Sequence, residues 1–90
     1  MIHLQILSPE KKIYEGIVSK IKLPGKSGAF TVLPRHAPIV SSLTKGIVSF
    51  TGHPTGNPNE SEEHFFSIIS GFVEINHDNA TLCVEVENRQ

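Results

Sequence analysis

Cys83 is the only cysteine in this 90-residue chain. An internal disulfide is therefore excluded, and without paired cysteines no thiolate zinc site is expected. Its expected role is that of a small buried hydrophobe in a strand. Long apolar runs are missing too: there is no stretch of about 18 apolar residues and no basic-then-apolar leader. The chain thus reads as soluble and cytosolic, with no membrane span. Helical periodicity and internal repeats are also absent. Hydrophobic residues make up 38%, lifted by 7 glycines toward the usual globular share. That suffices for one core with little to spare, and so for one domain over residues 1–90. Net charge is only −1, although residues 1–50 sum to +5 and residues 51–90 to −6. No basic cluster carries interleaved aromatics, so no nucleic-acid partner is expected.

What the chain does have is alternation of period two. Ile2, Leu4 and Ile6 alternate with His3 and Gln5, and Ile13-Tyr14 reads as a short second strand closed by Glu15-Gly16. Ile17, Ser19, Ile21 and Leu23 then alternate with Val18, Lys20 and Lys22. Pro24–Gly28 is a tight turn, and strands are expected at Ala29–Leu33, Ile39–Leu43 and Ile47–Thr51. Residues 52–63, rich in Gly, Pro and Asn, predict a long mobile hairpin loop. Strands at His64–Ile69 and Gly71–Ile75, a turn at His77-Asp78-Asn79 and a last strand at Ala80–Glu87 complete the chain. About eight to ten short strands predict an all-β fold, a flattened antiparallel sandwich or barrel.

Most patterns that suggest chemistry do not hold. Gly25-Lys26-Ser27 resembles the end of a phosphate-binding loop, but the position that should hold the leading glycine is Lys20, and a strand follows instead of a helix. The five histidines, His3, His36, His53, His64 and His77, never fall at i, i+2 or i, i+4 from one another, so neither metal nor cofactor is expected. Four of them read as solvated residues in turns or at strand ends, His36 differing by its rigid loop. No nucleophile-bearing turn or carboxylate pair accompanies His36, and the chain is not expected to be an enzyme.

One stretch remains: Gly28-Ala29-Phe30-Thr31-Val32-Leu33-Pro34-Arg35-His36-Ala37-Pro38, running on to Lys45-Gly46. Its prolines fix φ and bias Leu33 and Ala37 toward extended conformations, which makes a stiff, partly apolar knuckle. Such a loop is suited to docking. It equally fits a core-packed connection whose Phe30, Leu33 and Pro34 fill one end of a sandwich.

This stretch resembles the hallmark of the epsilon subunit of bacterial F-type ATP synthase, in its N-terminal β-sandwich domain: a glycine turn, Phe/Leu, Gly, an aliphatic pair, Pro-Gly-His-Ala-Pro and a closing Gly. Leu4–Glu10, Tyr14-Glu15-Gly16, Ile69–Ile75 and Asn79–Leu82 agree in order and spacing, so the resemblance covers essentially the whole chain. It implies a non-catalytic central-stalk (rotor) subunit of a proton- or sodium-driven synthase, bound to the gamma subunit and the c-ring. Such a subunit is peripheral at the cytoplasmic face of the bacterial inner membrane. It also implies that Phe30, Leu33, Pro34, Arg35, His36, Ala37 and Pro38 form the c-ring-facing loop. Thr31 and Arg35 stand where the family usually has glycine, so a different loop backbone and an added charged contact, to an acidic c-ring loop or to lipid phosphate, are expected. Residues 52–63 look like a local expansion, and Gly71 stands where the family often has two glycines. The family usually continues into two C-terminal helices; as the chain stops at Gln90, a form without that helical hairpin is expected. The alternatives are a free-standing ligand-binding β-sandwich and a small hydrolase using His36.

Overall fold

In the computed structural model, which describes residues 1–86, the alternating segments become eight strands and no helix. They are β1 (Ile2–Leu7), β2 (Lys12–Leu23), β3 (Phe30–Val32), β4 (Ile39–Leu43), β5 (Gly46–Gly52), β6 (Glu62–Ile68), β7 (Ser70–Asn76) and β8 (Asn79–Glu85). The expected all-β sandwich is present. Glu87, the expected end of the last strand, lies outside the described residues.

The strands hydrogen-bond in the order β4-β7-β8-β1-β2-β5-β6, with β3 also on β2. Every pairing is antiparallel except β1 with β8, which run parallel. The path does not close into a barrel, since β4 and β6 remain at its ends. Val18 pairs with both Ile2 and Gly52, and Ile21 with both Val32 and Phe50. β5 therefore occupies one edge of β2, while β1 and β3 share the other, β1 along its first half and β3 along its second. The 12-residue β2 is thus the fold line between two half-sheets. Their facing sides supply a single core: Ile2, Leu4, Ile6, Val73, Ile75 and Leu82 from one half, and Ile21, Val32, Val48 and Phe50 from the other. The thin dimension of the molecule, 19 Å, accommodates two layers packed about 10 Å apart.

Four expectations change. Glu15-Gly16 does not end a strand: Gly16 pairs with Leu4 in mid-strand, and its missing side chain leaves room for the Tyr14 ring, whose hydroxyl lies 2.8 Å from where a Cβ would sit. The burial phase of β2 also differs. Val18 is buried while Ile17 is exposed, yet Ile21 and Leu23 are buried, because a register shift between Val18 and Lys20 turns the strand over by one residue. His53 is not solvated but buried, and it organises residues 53–61 into an internally bonded loop. Its Nδ1–H is shared between the carbonyls of Asn57 (3.3 Å) and Glu60 (3.0 Å), and Nε2 meets Ser19 Oγ at 2.8 Å. Cys83 is half-buried on the outer face of β8, beside Phe72 and Leu7, not in the core.

Candidate docking surface

The loop between β3 and β4 follows from its prolines. Pro34 takes the second position of a turn closed by the His36 N–H donating to the Leu33 carbonyl (3.2 Å), and Arg35 takes the third with φ +67°. Proline followed by a positive φ is the type II arrangement, which normally calls for glycine at the third position. Arg35 therefore holds a backbone conformation that this turn type ordinarily reserves for glycine. Thr31 lies in ordinary strand pairing opposite Lys22.

Among the expected docking residues, Leu33, Pro34, Arg35, Ala37 and Pro38 are exposed and His36 is half-buried. The His36 Nδ1 approaches the Ala37 carbonyl at 2.7 Å. A carbonyl only accepts, so Nδ1 carries the hydrogen and Nε2 is left for a partner. Phe30 is set apart from the others. Half-buried, it packs against the core and against Gly25, where an added Cβ would sit 2.8 Å from its ring. It supports the turn at Gly25 rather than the rim of the loop.

The structure adds two residues that sequence reasoning left in an ordinary turn. His77 and Asp78, with φ +52° and +60°, form the tip of the β7–β8 hairpin between the paired Asn76 and Asn79. Asp78 Oδ1 accepts the Arg35 backbone N–H at 2.6 Å. Arg35, His36, Pro38, His77 and Asp78 then line one open cleft of about 420 Å³. The hairpin was legible as a turn, but its meeting with Arg35 bridges 43 residues and left no local signal. Among the described residues no cluster of three or more His, Cys, Asp or Glu side chains could hold a metal ion. Among the described residues no helix is long and apolar enough to cross a membrane.

The comparison with known proteins is decisive on descent: the model of the ATP synthase Delta/Epsilon chain β-sandwich domain matches residues 1–89. The chain belongs to this family. An ATP synthase epsilon chain of Paracoccus denitrificans is 33% identical over 84 residues, covering 93% of this chain and 53% of its own length. One from Halalkalibacterium halodurans is 31% identical, with 93% and 58% covered. This member of the family therefore spans about half the length of the curated relatives it matches. Two solved structures share the fold at low identity. A chain of the Euglena gracilis mitochondrial ATP synthase, in a structure of its OSCP/F1/c-ring, superposes with a TM-score of 0.78 at 21% identity, covering 92% of this chain and 49% of that one. A chain from the Tetrahymena thermophila central stalk/c-ring structure gives 0.71 at 15% identity, covering 93% and 63%.

Proposed function

We propose that this domain serves as the β-sandwich of a non-catalytic central-stalk subunit in a rotary ATP synthase. In that role it is held by the gamma subunit, set against the c-ring, and passes ring rotation toward the catalytic head. It is peripheral to the membrane, at the cytoplasmic face of the bacterial inner membrane, and the synthase is driven by protons or sodium ions. The observation that carries this reading is the family match over residues 1–89, and it agrees with what the exposed loop can do. A torque-bearing contact is best made by a stiff surface that loses little conformational entropy on docking. Two prolines, a closed turn and a hydrogen bond to a neighbouring hairpin supply that stiffness here. Leu33, Pro34, Arg35, His36, Ala37 and Pro38 make the contact, while Phe30 packs against the neighbouring turn at Gly25.

Co-purification from native membranes tests the proposal. The chain carrying an affinity tag should bring down both gamma and the c-ring in detergent, and recovery of neither would overturn it.

A further inference from the structure

The described residues include three non-glycine residues with positive φ: Arg35, His77 and Asp78. All three line the same cleft, although they come from different loops. Backbone held in sparsely populated regions persists where the surrounding structure over-determines it, and it tends to collect at sites that bind. Here the left-handed hairpin tip presents Asp78 to the Arg35 amide, and the left-handed Arg35 places its side chain at the cleft.

The charges select the ligand. Arg35 has no carboxylate within ion-pairing distance among the described residues. One oxygen of Asp78, the acid in the cleft, is engaged by the Arg35 amide. His36, His77 and Asp78 line the cleft without forming a metal-competent group, so a cation is disfavoured. A guanidinium with no ion-pair partner among the described residues, on a rigid backbone beside two imidazoles, suits a single oxyanion, which it can bind through two parallel N–H donors. An anionic membrane surface is a poorer fit, because recognition of that kind uses clusters of roughly 4–8 basic residues. This cleft offers one, with a carboxylate beside it.

We propose that the Arg35 loop and the His77–Asp78 hairpin tip form a composite cleft that receives an acidic side-chain carboxylate of the protein on which this domain docks. The inference rests on the docking reading above for the identity of the partner, but not for the chemistry of the cleft.

The test uses the full chain, isotopically labelled, titrated with a capped Gly-Glu-Pro-Gly peptide and followed by amide chemical shifts. The Glu peptide should move the amides of Arg35, His36, His77 and Asp78, with a dissociation constant on the order of 1 mM, as for one small contact. The matching Gln peptide should not. Arg35→Gly suits the existing φ, so the variant keeps the backbone while losing the guanidinium, and binding should weaken about tenfold. Arg35→Lys should keep part of the affinity. Equal response to the Gln peptide, unchanged affinity in Arg35→Gly, or no shift well above millimolar peptide would overturn the proposal. So would binding to phosphatidylglycerol vesicles but not to the peptide. No gamma subunit or c-ring enters this titration, so failed co-purification with intact peptide binding would fault the docking reading alone.

Discussion

Arg35 shows how one residue can hide a turn from a reader of sequence while leaving the turn in place. Pro34 at the second position is legible, but an arginine at the third gives no sign of φ +67°, a conformation that costs an L-residue about 1–2 kcal/mol. The compensation comes from Asp78, distant in sequence, which accepts its amide. Tyr14 is another residue whose surroundings depend on distant partners. Its ring centroid lies 4.5 Å from that of Phe50 and 5.5 Å from that of His64. Its hydroxyl lies 2.8 Å and 2.9 Å from where side chains at Gly16 and Gly52 would begin. Burial, and then the Glu62 carboxylate, raise its pKa above the ordinary 10.0. Because the folded value is raised, the stability contributed by the neutral phenol is fully present below pH 10.0. It is lost as pH climbs through the folded value. Tyr14 is the only tyrosine and the chain has no tryptophan, so the long-wavelength absorbance of tyrosinate, where phenylalanine does not absorb, reports this phenol alone. A single tyrosinate transition should have its midpoint above 10.0, and Glu62→Gln should lower the midpoint without returning it to the ordinary value. A transition at the ordinary value in the unaltered chain would remove the ring from this position.

Among the elements, β2 and β7 carry the clearest lessons. Alternation correctly marks β2 as strand, but a bulge is a single inserted residue with no composition of its own. The exchange of Ile17 for Val18 on the inner face was therefore not readable from the pattern. Glycine in a strand is ambiguous for a similar reason: it marks an end, a bulge or a close approach. Gly16 and Gly71 are both close approaches. At Gly71 an added Cβ would lie 2.5 Å from the Cys83 carbonyl oxygen and 3.0 Å from the Val84 Cα, both backbone atoms of β8 that side-chain rotation cannot move. Gly71→Ala should therefore cost about 1–3 kcal/mol by overpacking and local ladder distortion. Urea denaturation would read this as a lower midpoint with an unchanged slope. An unchanged midpoint would show that β7 and β8 are not this close.

For the whole molecule, the parallel pairing of β1 with β8 joins the first strand to the last and unites the half-sheet that carries the hairpin tip. Leu82 is central to it, fully buried and paired with Ile6 on one side and Val73 on the other. Leu82→Ala should cost about 2–5 kcal/mol, a large part of the roughly 5–13 kcal/mol available to a chain of this size. Thermal unfolding followed by circular dichroism should show the loss, and a cost below about 1 kcal/mol would place Leu82 outside a packed core. Composition and period-two alternation suffice for the all-β class and nearly every strand, because those signals lie within a few residues of one another, while the family was legible only as a resemblance of the proline loop and its flanking blocks to known members. The parallel closure of the sheet, the burial of His53, the phase of β2 and the meeting of Arg35 with Asp78 were decided only by the tertiary structure. Each depends on which distant segments share a layer, and the period of a strand says which faces alternate without saying what lies across from them.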